Sequence, residues 1–249
     1  MKRSLLLLTL FLSLIALPSR AATYTVAFDA TWPPFEFINT NGELVGYTVD
    51  LVTAVSREAG FAIHAVVAPW DGIFARLNNG KYDIVASSIT ITPERQRYLA
   101  FSAPYFETFQ YLLLPTTANT ENFSSMKGKI LGAQTGTMGQ SLGNSYAGFI
   151  TKPYDELIDA VTDLAEGKIG GVICDYPVAL YYSNTREFAN TIKLAPFTIT
   201  DMKEEYGFAV RQSDKALLEM LNTGLAAVKS KKIDREIYAK WFGEKVPAH

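Results

Sequence analysis

The chain has 249 residues, 48% of them hydrophobic and 12% aromatic, with a formal charge of −2, one cysteine and two histidines. That length supplies ample material for buried cores in one or two domains, and the near-neutral charge argues against nucleic acid as a partner. Cys174 alone excludes an internal disulfide framework or a multi-cysteine metal site, and His64 and His249 alone argue against a Ser-His-Asp or histidine-rich metal centre.

The first segment reads as an export address. Lys2 and Arg3 precede the uncharged run from Leu5 to Leu17, and Ser19 and Ala21 stand as small residues placed for cleavage. The run falls short of the roughly 20 apolar residues that a transmembrane helix needs. No cysteine stands directly after it, so no lipid anchor at a new N-terminal cysteine is expected. A mature chain beginning at Ala22 carries 20 basic and 25 acidic residues, a net charge of −5.

Along that mature chain, Thr23 to Phe28 reads as a strand and Asp50 to Ala59 as a helix stopped by Gly60. A β-rich run, Ile63 to Val67, is followed by a short helix, Ile73 to Leu77, and a buried strand, Tyr82 to Ser87. The same grammar returns with a strand at Ile130 to Ala133, a helix faced by Leu157, Val161 and Leu164, and a strand at Val172 to Cys174. One long amphipathic stretch through Leu218, Leu221, Leu225 and Val228 precedes Ile237 and Trp241-Phe242. Helices alternating with short apolar strands predict α/β architecture with mostly parallel sheets.

An internal echo supports two similar lobes. Leu77 to Ser88 aligns without gaps on Leu164 to Asp175, each with a helix ending at Gly-Lys (Gly80-Lys81 and Gly167-Lys168) and feeding a strand with polar residues at its end. Ligands of open α/β sheets bind outside the carboxyl ends of strands, so Ser87, Ser88 and Asp175 are expected to face a shared cleft. Extended crossings are expected near Tyr105 to Leu114 and near Met202 to Phe208, with a hinge between rigid bodies.

The residues that could carry chemistry cluster at these strand ends. Ser87, Ser88 and Thr90 precede Thr92-Pro93-Glu94-Arg95, where Thr92 is a plausible N-cap and Pro93 suits the first helical position. A guanidinium at Arg95 suits bidentate capture of a carboxylate; the alternative is a surface arginine pairing with Glu94. Asp29 leads into Trp32-Pro33-Pro34-Phe35-Glu36, and Trp70 follows Pro69 in a second loop. Two tryptophans on loops fit a stacking clamp, although core packing is the ordinary fate of tryptophan. Asp175 could receive an ammonium or cap the following helix. Gln134 to Gly139 sets glycines and hydroxyls after a strand; it lacks the phosphate-loop pattern but could offer backbone N–H groups to a carboxylate.

Taken together, these segments resemble the bacterial periplasmic solute-binding proteins for polar amino acids, the family-3 extracellular components of ABC importers. The resemblance is carried by Asp29 with Trp32 to Glu36, Gly46 to Leu51, Trp70-Asp71-Gly72, Ser87 to Arg95, Phe101 to Tyr105, Gly132 to Thr137, Asp175, and Tyr238 to Gly243, in family order across nearly the whole mature chain. It implies a two-lobed α/β periplasmic binding protein fold of type II. A signal peptide at 1–21 would be followed by a discontinuous first lobe, 22–107 with 206–249, and a second lobe, 108–205.

By the same resemblance, Arg95 would bind the α-carboxylate of a free amino acid, helped by Thr90 and the backbone near Ser88 and Thr137. Asp175 would take the α-ammonium, Trp32 and Trp70 would sandwich the side chain, and Asp29 would meet its polar end. Gln134 stands where family members vary with ligand, and Cys174 where some glutamine binders carry histidine. Ser87 and Ser88 resemble the pair in lysine/arginine/ornithine and histidine binders. Asp29, with Glu36, between two aromatic faces favours a basic ligand, because a buried carboxylate is costly without a positive partner; a glutamine binder is the alternative. Implied partners are a free L-amino acid and an inner-membrane ABC permease, for a periplasmic monomer without cofactor or catalysis. The rival class is an enzyme on the same fold, resembling the cyclohexadienyl dehydratases that act on prephenate or arogenate, with Asp175 or Glu36 as general acid.

Overall fold

The structure, a computed structural model, describes residues 22–243; the expected export segment 1–21 lies outside the described residues. Two mixed sheets organise the chain. The first runs in the order Ala62–Val67, Thr23–Phe28, Ile84–Thr90, Glu204–Val210 and Ala100–Phe101, with Phe106–Thr108 also pairing with Glu204–Val210. The second runs in the order Ile150–Tyr154, Ile130–Gln134, Gly171–Asp175, Gln110–Pro115 and Ile192–Leu194. In each, three parallel strands meet a fourth that is antiparallel. That corrects the expectation of mostly parallel sheets. The antiparallel member enters each sheet just after the chain has left the other, and so runs back along its neighbour.

The parallel centres are covered on both faces, which explains why Ile84–Thr90 and Gly171–Asp175 are buried along their whole length. The strand expected over Tyr82 to Ser87 runs instead from Ile84 to Thr90, carrying Ser87, Ser88 and Thr90 within its last four residues. Both Gly-Lys stops take one geometry. Gly80 (φ 75°) and Gly167 (φ 76°) donate to the carbonyls of Leu77 and Leu164, both at 3.0 Å, and Lys81 and Lys168 reach back to Arg76 and Asp163 at 3.0 and 2.9 Å.

The helix expected from Asp50 begins three residues earlier and spans Tyr47–Ala59. No side chain caps it; the N–H groups of Tyr47 and Thr48 donate to the carbonyls of Pro34 and Phe35 at 3.0 and 2.9 Å. Gly46 permits that approach, since a Cβ there would lie 2.0 Å from the Phe35 carbonyl oxygen. The segment holding Trp32 and Glu36 is consequently not an open loop but a small three-stranded sheet, Thr31–Trp32, Glu36–Ile38 and Leu44–Val45, docked on this helix start. The final amphipathic stretch divides into Lys215–Ser230 and Ile233–Phe242, with Lys232 in a left-handed conformation between them.

Candidate functional site

The carboxyl ends of the two parallel centres open on one cleft. It encloses about 350 Å³ of space unfilled by atoms, part of it open to solvent, and all ten residues expected at a site line it: Asp29, Trp32, Trp70, Ser87, Ser88, Thr90, Arg95, Gln134, Thr137 and Asp175. Glu36 and Met138 complete the lining.

Arg95 is the lone lining cation. It sits on the short helix Pro93–Gln96, with Thr92 accepting the Arg95 N–H at 3.1 Å as N-cap. The surface pairing with Glu94 does not form; the side chain is buried, with no carboxylate within ion-pair distance among the described residues. Its guanidinium donates to the carbonyls of Thr90 (2.8 Å) and Gly136 (3.1 Å) and lies 5.7 and 5.4 Å from the ring centres of Trp70 and Phe74. Of the five N–H donors on an arginine side chain, the remaining ones are free for a carboxylate.

Three carboxylates share the cleft with it. Burial pushes Asp29 up to about 6, although the Thr31 hydroxyl (3.0 Å) and the Gln134 amide (3.4 Å) both donate to it. Asp175 is pushed up to about 7, first by burial and next by the charge of Glu204, and it accepts from the Gln110 amide at 2.7 Å. Its side chain does not cap the following helix. Glu36 is fully buried and raised well above the ordinary carboxylate range by desolvation; Ser88 donates to its Oε2 at 3.0 Å, and its Oε1 has no partner. None of the three has a cationic partner among the described residues, so the cleft is primed to attract positive charge.

Ser88 holds its place with φ 46°, a backbone conformation that costs an ordinary side chain roughly 1–3 kcal/mol and is concentrated at functional sites. Ser87 accepts the Asp29 N–H at 2.8 Å, tying the ends of two neighbouring strands together. Trp32 is buried, and Trp70 is half-buried with its indole N–H donating to the Thr135 carbonyl at 2.9 Å. Thr137 caps the helix Met138–Ser145, which brings the start of that helix to the cleft.

One expectation needs adjustment, and one neighbour of the site proves to lie outside it. The Thr90 hydroxyl donates to Glu204 Oε2 at 3.0 Å and is therefore spent on an acid rather than offered to a ligand carboxylate. Cys174 points into the hydrophobic core beside Val172 and does not line the cleft, because alternation along the strand sends Asp175 to the opposite face. Sequence reasoning left out Met138, Phe74, Gln110 and Glu204, and gave Glu36 a place beside Asp29 or, in the rival enzyme reading, the role of general acid. Met138, Phe74 and Gln110 carry no charge pattern that marks them, and Glu204 stands beside Glu205 in what reads as an exposed acidic pair.

Comparison with known proteins agrees with this geometry. Residues 24–244 match the family described as bacterial extracellular solute-binding proteins, family 3. The chain is 33% identical over 248 residues to ABC transporter arginine-binding protein 1 of Escherichia coli (strain K12), covering 96% of this chain and 99% of that one. It is 34% identical over 229 residues to a probable histidine-binding protein of Neisseria gonorrhoeae, covering 89% and 83%. Among solved structures, an ancestral arginine-binding protein is 34% identical in two states. Its arginine-bound form superimposes with a TM-score of 0.82, covering 89% of this chain and 99% of that one, and its glutamine-bound form with 0.83, covering 90% and 100%.

Proposed function

Because the chain belongs to the bacterial extracellular solute-binding proteins of family 3, we propose that it is the periplasmic solute-binding component of an amino-acid ABC transporter. Its ligand is a free polar amino acid, basic and arginine-like by preference, captured between two lobes that close about a hinge. The observation that carries the reading is the charge content of the cleft: three buried carboxylates, one buried guanidinium and two tryptophans around one space. An α-carboxylate complements Arg95, an α-ammonium complements Asp175, and a cationic side chain between Trp32 and Trp70 relieves the desolvated charge of Asp29. A neutral side chain relieves nothing there, which ranks glutamine second.

The lobe limits belong to the same proposal: 22–107 with 206–249 against 108–205. The change of sheet between Phe106–Thr108 and Gln110–Pro115 and again before Glu204–Val210 supports limits within two residues of these, with Thr108, Glu204 and Glu205 paired in the first sheet. Hydrogen bonds from Trp70 to Thr135 and from Arg95 to Gly136 join the lobes through residues that also line the cleft. Contacts of this kind favour a closed state that an inner-membrane permease can recognise. We further infer a monomer that performs no covalent chemistry. The export segment 1–21 and the absence of a membrane-spanning helix among the described residues are consistent with a periplasmic location.

Calorimetry against the twenty amino acids and ornithine tests the reading. L-arginine is expected to bind most tightly, with compaction on saturation visible by small-angle scattering. Tighter binding of glutamine or of an acidic amino acid overturns the ligand preference, and turnover of prephenate or arogenate overturns a purely binding role.

A further inference from the structure

Where the chain crosses between the sheets, the ammonium acceptor Asp175 has an acidic neighbour, Glu204, that does not line the cleft and that ligand matching does not use. Gln110 opens the outgoing strand Gln110–Pro115 and lies opposite Asp175 in the second sheet, while Glu204 opens the returning strand Glu204–Val210 and lies opposite Thr108 in the first. The Gln110 amide donates to both acids, at 2.7 Å to Asp175 Oδ1 and at 3.2 Å to Glu204 Oε2. Glu204 Oε2 also accepts the Thr90 hydroxyl at 3.0 Å. Asp175, Glu204 and Gln110 are 6%, 7% and 2% exposed. One side-chain amide thus bridges a carboxylate on the second sheet to a carboxylate on the first, at the hinge between them.

We propose that Glu204 is a positioning residue of the ammonium subsite, sharing one proton with Asp175 through the Gln110 bridge, and that this proton leaves to solvent when an α-ammonium arrives. This rests on the amino-acid-binding reading above and deepens it. Two carboxylates this close and this buried do not both ionise without a counter-charge. The charged groups facing the pair are Arg95 from the helix Pro93–Gln96, which favours ionisation of Glu204, and Glu36 from the small sheet, whose own ionisation the charge of Asp175 opposes; Tyr206 faces it as a neutral phenol. Without a ligand, Arg95 balances one of the two negative charges and a proton balances the other. An incoming amino acid seats its carboxylate on Arg95 and its ammonium directly against Asp175; the ammonium takes the place of the shared proton at the pair, keeps all of its own protons, and the carboxyl proton goes to the buffer. Because Thr90 and Gln110 are both fastened to Glu204, the same event fixes the two crossing strands relative to each other.

The test is calorimetric titration of the full mature chain with L-arginine near pH 6.5, in buffers of different ionisation enthalpy, which counts protons released per ligand bound. Wild type is expected to release more protons than E204Q, because Asp175 in the variant ionises before ligand arrives; the contribution of Asp29 is common to both and cancels. At pH 8, E204Q is expected to bind roughly tenfold more weakly, having lost one attractive charge, and E204D is expected to restore the proton count. Equal proton release and equal affinity in folded E204Q overturn the proposal, whereas a wild type that takes up neither L-arginine nor L-glutamine overturns the binding reading beneath it. Should E204Q fold poorly, carboxyl-carbon NMR on wild type decides. Asp175 and Glu204 are expected to titrate as a coupled pair, with the upper step lost on adding L-arginine; two independent titrations in the ordinary carboxylate range overturn it.

Discussion

The two sheets follow one plan and carry different chemistry at their open ends. Each places a first strand between a second and a third, then adds an antiparallel strand from the neighbouring crossing. At the ends of the first sheet stand Asp29, Ser87, Ser88 and Thr90, with Arg95 on the helix that follows; the second sheet offers Gln134 and Asp175, with Thr137 and Met138 starting the next helix. On the proposed reading, the first lobe therefore holds the carboxylate subsite, both aromatic walls and the acid for the side chain. The second adds the ammonium acceptor and the carbonyls of Thr135 and Gly136 that clasp Trp70 and Arg95. This asymmetry predicts that ligand settles on the first lobe and that the second completes the site on closure.

Substitution at Arg95 is accordingly expected to have the largest effect. Arg95→Ala removes the lone lining cation and one clasp, and we expect affinity for every amino acid to fall by about 3 kcal/mol or more, read by calorimetry. Asp175→Asn keeps the shape of the second lobe's main contributor and removes its charge. Affinity is expected to fall about tenfold to a hundredfold, with residual binding to the first lobe and reduced compaction in scattering. An Asp175→Asn loss exceeding that of Arg95→Ala would reverse the order of the lobes.

A narrower effect follows at Asp29. Its carboxyl, raised to about 6 chiefly by burial, must be ionised to meet a guanidinium. Affinity for L-arginine is expected to rise with pH through that value, by up to about tenfold per unit below it, and the slope for L-glutamine to be shallower. Asp29→Asn should remove the difference between the two slopes; equal losses for both ligands would contradict the basic preference. The ligand-free protein should respond in the opposite direction. With its folded value above the ordinary 3.8, Asp29 binds more protons folded than unfolded between about 4 and 6, so its contribution makes stability decline as pH rises through that interval. Thermal melts of wild type and Asp29→Asn across the interval measure that contribution.

How much of this was legible beforehand depends on whether a residue's role is local. Strand ends, Gly-Lys stops and the Thr92 cap are short-range features, and ten of the twelve lining residues were read from segments marked by such features. The start of Tyr47–Ala59 was not legible, since carbonyls of Pro34 and Phe35 replace the capping side chain. Nor was the bridge from Gln110 to Asp175 and Glu204, because it joins residues 65 and 94 positions apart, and nothing in the neighbourhood of any one marks it. Cys174 illustrates a third limit: it stands next to a site residue in sequence and, by the alternation of the strand, on the opposite face in space.

The smallest expected effect tests whether the two lobes are equivalent in fold rather than in chemistry. Gly80 and Gly167 have φ values of 75° and 76°, and at both a Cβ would meet nothing within 4 Å. The cost of alanine is then purely conformational, about 1 kcal/mol for a left-handed backbone. Gly80→Ala and Gly167→Ala should each lower stability in denaturant by that amount, leaving L-arginine affinity unchanged, since both helix stops lie at the far end of their strands from the cleft. Unequal penalties would mean that one stop is held by contacts the other lacks. Equal penalties, beside the unequal penalties for Arg95 and Asp175, would locate the divergence of the lobes at the carboxyl ends of their strands and nowhere earlier.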